Sequence, residues 1–404
     1  MAKFDMTLSE VSALFKIKYE KLSENVYNSA NVLLGRVKKS YNFTGKELAI
    51  AVPQSFAGGV GSGSLPQANT ARYGDARIQA KKMYAVVEID RETIKASLSD
   101  EGAFVRATKE VVQKGVESFM RNLSRALFND GSGILGEVKS ITGNVVTLET
   151  DITLTDHPFK EANFEERDLI NAVSGTTVIG GTNPEVAEIE IVDADLAKVT
   201  LSAIPTGLAP GDKLVMQGSF SNDPEGLKIL DKVVGDPDSY NIPVGRRWQA
   251  AKKTGAGAIS TDMLNEMMLK VKKACGKSPN LIITSFKQYE KILGIIENKV
   301  QYNVETRAGL KGKNGTTLSF SGIQFMSVDG PVGIFPERFC DDDRLYLLND
   351  SHIHIHHRPD FGWFDDDGTV FLRKANSDSY EARYGGYLQV YINPCFHGVI
   401  TGLS

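Results

Sequence analysis

A long hairpin with a glycine-rich tip constrains this chain more than any other feature of its sequence. The apolar segment Leu48-Ala-Ile-Ala-Val-Pro53 precedes a glycine-rich segment from Gly58 to Pro66, and an alternating segment from Arg77 to Asp90 follows. Two strands of about 18 residues each, at about 3.3 Å per residue, predict arms that reach roughly 60 Å. Since an isolated hairpin is not stable in water, we expect it to lie on a neighbouring molecule. That requirement is typical of a lattice protein.

The N-terminal segment from Thr7 to about Lys39 predicts two helices, with a break near Ser23. Each helix has one apolar stripe and few residues that could close a core of its own, so we expect both helices to pack against structure outside this segment. The predicted inter-subunit contacts lie on this segment and in the hairpin tip. They are Leu14, Phe15, Phe56, Gly59, Gly61, Gly63 and Leu65.

A long amphipathic helix follows the hairpin. Ser99-Asp100-Glu101 supplies an N-cap with acidic residues in the first turn. Apolar residues then keep a 3.6-residue period as far as Asn129-Asp130-Gly131, where the glycine suits a C-terminal stop. The predicted helix has about 30 residues and is roughly 45 Å long.

The remaining sequence predicts an α+β protein that carries a small inserted β domain. Between Glu137 and about Asp223, short alternating runs are separated by turn residues and predict strands. Helices are predicted at Thr261–Cys275 and Phe286–Glu297. Further strands are predicted at 281–284, 318–328, 344–348, 352–356, 369–372 and 386–392.

Composition excludes several classes of protein. The 404 residues predict two or three folded units. No apolar run approaches the ~20 residues of a membrane helix and no signal peptide is present, so we expect no membrane partner and assembly in the cytoplasm. The net charge of -4 without a block of like charge argues against tight DNA binding, yet it is compatible with enclosing DNA. Cys275, Cys340 and Cys395 lack CxxC spacing and predict reduced, buried and inert thiols.

Two glycine motifs look like nucleotide sites and are interpreted otherwise. Gly131-Ser-Gly-Ile-Leu-Gly136 matches GxGxxG, but it closes a helix and leads into β structure, which is the reverse of the dinucleotide-binding order. Cys275-Gly-Lys-Ser278 resembles the end of a P-loop, but Val271 stands where the first glycine is required. No cofactor-binding residue is therefore predicted.

Clusters of histidine and aspartate are the remaining candidates for chemistry. His352, His354 and His356 lie on one face of a predicted strand, but alternate residues are about 7 Å apart, too far to share one ion. The acidic runs 341–343 and 365–367 lack the alternating ligands of a calcium loop and predict solvated turns. No metal ligand and no catalytic residue is predicted, and the chain is not expected to be an enzyme.

The order of these elements resembles the major capsid family of tailed bacteriophages. The similar stretches are Val60–Pro66 in the hairpin, Ala103–Arg106 and Ser124–Leu135 at the two ends of the long helix, and Pro279–Thr284. The resemblance implies an N-terminal helical arm at 1–47, an extended loop at 48–90, a peripheral domain with a spine helix at 91–136 and an axial domain at 226–370. The inserted β domain at 137–225 is extra, and C-terminal strands at 371–404 return to the peripheral and axial domains.

The resemblance implies a structural function without a cofactor. Subunits are expected to form hexamers and pentamers of an icosahedral head in the virion, around double-stranded DNA that is enclosed without specific binding. Expected partners are further copies, a scaffolding protein, a portal and, as an open possibility, a decoration protein. The alternatives are the shell of an encapsulin-like nanocompartment and, more distantly, an α+β enzyme without a recognisable motif. A carbohydrate-binding or adhesive role of the inserted domain is compatible with the capsid interpretation.

Overall fold

A computed structural model describes most of the chain. The described residues are 32–43, 45–55, 72–91, 101–193, 196–234, 240, 242, 248–297, 308–311, 317–320, 323–327, 329–358, 362–365, 370–374 and 377–404. Within them the protein has mixed α+β architecture, mostly strands with few helices, which confirms the predicted fold class.

The helices of the described ranges are α1 (Val32–Arg36), α2 (Glu101–Leu127), α3 (Thr261–Cys275) and α4 (Phe286–Glu297). The long helix α2 confirms the prediction from the apolar period. The second N-terminal helix was predicted to reach Lys39, but it ends at Arg36, and the next residues form a strand instead. None of the described helices is long and apolar enough to cross a membrane.

Sheet A is built around one long strand and is covered by α2. Its strands are β1 (Lys38–Ser40), β4 (Lys81–Asp90), β19 (Ile353–His357), β20 (Gly362–Trp363), β21 (Leu372–Arg373) and β22 (Ser379–Ile392). One edge of β22 pairs with β4, and the other edge pairs in succession with β21, β20 and β19. The rings of Phe119 on α2 and Tyr384 on β22 meet edge to face, with centroids 5.3 Å apart. Helix α2 therefore buries its apolar stripe on this sheet.

The hairpin consists of β2 (Glu47–Ser55) and β3 (Arg72–Gln79), with Glu47 opposite Gln79. The sequence predicted that 77–90 is a single return strand, and that prediction is wrong. Ala80 separates β3 from β4, and β4 joins sheet A. The reason is the inner face of β4, because Met83, Val87 and Ile89 are buried.

Sheet B is built from strands that all lie between α2 and residue 216. Its seven strands run in the order β8-β7-β11-β5-β6-β10-β9. They are β5 (Ile134–Thr142), β6 (Val145–Leu148), β7 (Ile170–Ser174), β8 (Thr177–Ile179), β9 (Val186–Asp193), β10 (Leu196–Leu201) and β11 (Lys213–Met216). Its core consists of the sheet's own side chains, among them Leu148, Val199 and Leu214, which are all fully buried.

Sheet C is a mixed six-stranded sheet whose central strands, β13 and β18, are buried on both faces. Its strands, in spatial order, are β12 (Ala251–Lys253), β23 (Gly398–Ile400), β18 (Leu345–Leu348), β13 (Leu281–Thr284), β17 (Gly330–Pro336) and β16 (Ile323–Ser327). Ile282 packs in the cluster with α3 and α4, whereas Leu281 and Ile283 face the main core. Burial on both faces explains the continuous apolar runs of its central strands. A separate pair, β14 (Ala308–Lys311) with β15 (Thr317–Phe320), completes the strands.

The main core joins sheet A, one face of sheet C, the hairpin and the N-terminal helix. It includes Leu33, Phe43, Phe119 and Tyr346, which are almost completely buried. The described end of the predicted N-terminal arm thus belongs to the core of its own subunit. The domain boundaries predicted from the sequence stay predictions.

Candidate assembly surfaces

The hairpin has one face on the subunit and one face open to solvent. On the inner face, Val52, Ala76 and Ile78 are buried in the main core. On the outer face, Ala49 and Arg77 lie opposite each other and are exposed. Apolar residues at alternate positions bind the described part of the hairpin to its own subunit, and the expected contact with a neighbouring molecule stays a prediction. The outer face remains available.

Hydrogen bonds fix the base of the hairpin. The backbone N–H of Arg77 donates to the backbone oxygen of Tyr240 over 2.8 Å, and the N–H of Ala80 donates to Lys46 over 3.1 Å. The Tyr240 hydroxyl in turn donates to the backbone oxygen of Val390 on β22, over 2.8 Å. Burial raises the pKa of Tyr240 well above its ordinary value, so the hydroxyl stays a donor. These hydrogen bonds fix the base of the hairpin to its own subunit.

The inter-subunit contacts predicted from the sequence lie outside the described residues. They are Leu14, Phe15, Phe56, Gly59, Gly61, Gly63 and Leu65. They stay predictions. The described strands that lead to the tip are β2, which ends at Ser55, and β3, which begins at Arg72.

The outer face of β4 is a second candidate surface that the sequence interpretation missed. Tyr84 is 43% exposed and Val86 is 58% exposed, although both lie in the middle of a strand. The Tyr84 ring meets Phe364 edge to face, with centroids 5.4 Å apart. The signal was present in the sequence, because apolar residues at consecutive positions of a strand place apolar groups on both faces.

A third surface surrounds the strand that leaves the N-terminal helix. Strand β1 runs parallel to β19, with Lys38 opposite His354. Tyr41 follows it, 66% exposed, and meets the ring of His357 edge to face at 4.0 Å. Strand β1 and Tyr41 therefore anchor the chain that follows α1 to sheet A.

Sheet B contacts the rest of the subunit through a buried ion cluster. The Nζ of Lys160 lies 2.5 Å from Asp341 Oδ1, and the Nζ of Lys228 lies 3.5 Å from Asp341 Oδ2. Arg344 Nε lies 3.1 Å from the same Oδ2. Burial alone would raise the pKa of Asp341, but Lys160, Lys228 and Arg344 together hold it well below its ordinary value. Asp341 is thus an ionised anchor and not the solvated turn that the sequence predicted.

Two arginines of α2 complete this attachment. Arg125 lies 3.0 Å from Asp223 in a buried pair, and Arg121 lies 3.0 Å from Asp168. The second pair joins the helix to a loop of sheet B. Because partnerless buried charges are costly, these pairs hold the orientation of sheet B relative to the helix.

Both glycine motifs begin at the C-terminal end of a helix, as the sequence predicts for Gly131. Gly131 and Gly133 have φ of 85° and 77° between α2 and β5. At Gly133 a Cβ would lie 2.4 Å from the backbone oxygen of Ser219, so a larger residue does not fit. Gly276, with φ of 75°, ends α3 and donates its N–H to Lys272 over 2.7 Å. Both motifs are helix ends.

The histidine-rich segment covers a short 3-10 turn, which holds His352, and strand β19, where the rings of His354 and His356 stack with centroids 5.8 Å apart. His352 stacks on Phe396 with centroids 3.6 Å apart, and His356 Nδ1 lies 2.9 Å from Asn42 Oδ1. Burial lowers the pKa of His352 and His356 to about 4. Within the described ranges, no group of three or more His, Cys, Asp or Glu side chains is placed to hold a metal ion.

The thiols differ from the sequence prediction. Cys340 is buried, but Cys275 and Cys395 are partly exposed. The Cys275 thiol donates to the backbone oxygen of Cys395, although the two residues are 120 positions apart. Sequence spacing gave no signal of this contact, because it depends on how α3 packs against the C-terminal turn.

Comparisons with known proteins agree with this architecture. A family model described as SU10 major capsid protein matches residues 67–402. The structure is similar to a chain of the capsid asymmetric unit of cyanophage A-1(L), with a TM-score of 0.52 and 12% identity over 92% of each chain. That similarity shows a common fold and confirms the predicted one.

Two further structures match with lower scores. The procapsid of satellite phage P4 with its size determination protein has a TM-score of 0.44 at 8% identity, over 95% of this chain and 91% of that chain. The SrpI encapsulin of Synechococcus elongatus has a TM-score of 0.45 at 9% identity, over 92% of this chain and 87% of that chain. No curated protein sequence matches the chain.

Proposed function

The chain belongs to the SU10 major capsid protein family, and from that premise we propose that it forms hexamers and pentamers of an icosahedral head around double-stranded DNA. Its role as a capsid shell subunit is a structural one. The observation that carries the proposal is the family match over residues 67–402. To this family match the proposal adds two finer features, which are the hexamers and pentamers and the enclosed DNA.

The hairpin supplies a physical route to assembly. Its inner face is held by Val52, Ala76 and Ile78, so the outer face is presented in a fixed orientation. In a closed symmetric shell each contact is repeated by every subunit. Weak contacts then add up to a stable container, because a subunit held at one site meets the next at high effective concentration.

The proposed partners follow from this role. They are further copies of the chain, a scaffolding protein, a portal and a decoration protein. DNA is proposed to be enclosed without specific binding, which the net charge of -4 supports. The proposed location is the virion, after assembly in the host cytoplasm.

Expression of the full chain, alone and together with a scaffolding protein, tests the proposal. Negative-stain electron microscopy and sedimentation should show closed polyhedral particles or hexameric rings. Nuclease-protected double-stranded DNA inside particles from infected cells supports the phage head, whereas a protein cargo without DNA supports an encapsulin-like compartment. A monodisperse monomer or dimer under both conditions contradicts the proposal.

Deletion of residues 56–68 tests the contribution of the hairpin tip. We expect a subunit that folds, because the described base of the hairpin is anchored by its inner face. The same subunit should form no shells. Circular dichroism checks the fold and electron microscopy checks assembly; normal particles from this variant contradict the role of the tip.

A further inference from the structure

Cys275 and Cys395 meet where the C-terminal segment passes from sheet A to sheet C. Cys275 is the last residue of α3, and Cys395 lies in the short 3-10 turn Pro394–Phe396 between β22 and β23. The Cys275 thiol donates to the backbone oxygen of Cys395, and each thiol shifts the pKa of the other. Both side chains are partly exposed, so a small molecule in solvent can reach them.

The surrounding structure holds both cysteines in place. Gly276 ends α3 immediately after Cys275, in a left-handed conformation. On the other side, His397 is completely buried, and its Nδ1 accepts from the N–H of Asn349 over 3.2 Å. The contact is therefore a fixed feature of the fold, since each backbone is anchored within two residues of the cysteine.

The two thiols are unequal. The hydrogen bond with Cys395 lowers the pKa of Cys275. The same contact, together with burial, raises the pKa of Cys395. Cys340 differs from both, because it is fully buried and burial raises its pKa well above the ordinary value. Since the thiolate is the reactive form, Cys275 is the expected nucleophile and Cys340 an internal reference that does not react.

We infer that Cys275 and Cys395 are the site of an intrasubunit disulfide, formed when the folded chain meets a low-molecular-weight disulfide such as oxidised glutathione. The Cys275 thiolate attacks one sulfur of the oxidant and releases one thiolate. The Cys395 sulfur, having lost its proton to solvent, then attacks the Cys275 sulfur of the mixed disulfide and releases the second. Two protein thiols are oxidised, one small disulfide is reduced to two thiols, and no further reactant is needed.

The bond would join α3 to the link between two sheets. Residues 393–397 connect β22 of sheet A to β23 of sheet C, and α3 packs on sheet C. A crosslink over a loop this long constrains the unfolded chain strongly. If the proposed function holds, the subunit is made in a reducing cytoplasm and meets an oxidant after release, so the bond forms in the released particle. The chemistry itself does not depend on assembly.

The test is oxidation of the full chain after purification under reducing conditions. Oxidised glutathione is added, and peptides are mapped by mass spectrometry without reduction. We expect a linked pair of peptides that contain Cys275 and Cys395, while Cys340 reacts with an alkylating reagent only after unfolding. C340S is the matched control and should form the same bond, whereas C275S and C395S should not.

A stability measurement complements the mapping. Oxidation should raise the melting temperature of the wild type and of C340S by at least ~3 °C. C275S and C395S should have the melting temperature of the reduced wild type both before and after oxidation. That result also shows that the two variants fold. A persistent glutathione adduct on Cys275 without crosslinking, or bonds only between subunits, overturns the inference. A chain that forms the bond but no shells overturns the proposed function alone.

Discussion

The hairpin and sheet B are both regular antiparallel β structure, yet they are attached to the subunit in opposite ways. The hairpin has no core of its own and is bound by apolar side chains such as Val52 and Ile78. Sheet B has its own core around Leu148 and Val199, and its loops reach the body through ion pairs, Lys160 with Asp341 and Asp168 with Arg121. The hairpin is therefore an extension of the main core, whereas sheet B is a unit docked onto it.

This difference separates stability from assembly. A substitution in sheet B or in its ion cluster should change the free energy of unfolding. A substitution on the outer face of the hairpin should leave that free energy almost unchanged and act on contacts between subunits. The predictions below test this separation, in descending order of the expected change in free energy of unfolding.

Asp341→Ala should have the largest effect on stability. It leaves the buried ammonium groups of Lys160 and Lys228 without their anion, which should lower the free energy of unfolding by about 3–5 kcal/mol. Urea denaturation measures the loss. Asp342→Ala is the matched control, because its exposed neighbouring carboxylate should matter by less than about 0.5 kcal/mol. Equal losses of stability in the two variants would show that the ion cluster does not stabilise the folded chain.

Leu148→Ala should destabilise sheet B by about 3 kcal/mol, because it leaves a cavity in a core of closely packed side chains. Hydrogen exchange should accelerate in β5, β6 and β10 while the amides of β2 and β3 keep their protection. Val178→Ala in the same sheet is the control, since Val178 is 48% exposed. Loss of protection in the hairpin as well would mean that the two regions unfold together.

Glu337→Gln should change stability in a pH-dependent way. Burial raises the pKa of Glu337 to about 7, and its backbone oxygen accepts from the N–H of Cys340, beside the ion cluster. Because the folded chain keeps this proton while the unfolded chain loses it, wild-type stability should fall as pH rises from about 4 to about 7. The glutamine does not titrate, so the variant keeps its stability as pH rises and should be more stable than wild type at pH 8 by roughly 2–3 kcal/mol.

At pH 4 the same variant should have nearly the stability of the wild type, because both folded and unfolded chains then carry the proton. Glu290→Gln is the control on an exposed position of α4 and should follow the wild type at every pH. Urea denaturation between pH 4 and pH 8 gives both curves. Parallel curves for Glu337→Gln and wild type would show that this carboxyl group does not titrate differently in the folded chain.

The sequence predicted elements whose pattern is local and missed contacts between distant segments. The period of α2 and the apolar run Leu281–Thr284 are local signals, because burial imposes its pattern on consecutive residues. Ala80 carries no turn signal, so the division of 77–90 between the hairpin and sheet A was missed. The local sequence around Asp341 predicts a solvated turn, because its partners Lys160 and Lys228 come from a distant part of the chain.

Ala49→Glu should have the smallest effect on stability and a large effect on assembly. Ala49 is exposed on the outer face of the hairpin, opposite Arg77, so the new carboxylate meets a guanidinium and the free energy of unfolding should change by less than about 0.5 kcal/mol. If the outer face packs on a neighbouring subunit, a charged and larger side chain there should prevent closed particles, which electron microscopy and sedimentation detect. Ala187→Glu places the same change on an exposed position of sheet B and should leave assembly intact. Loss of particles in both variants would mean that sheet B also contacts neighbouring subunits. Normal particles in both would mean that the described outer face of the hairpin does not.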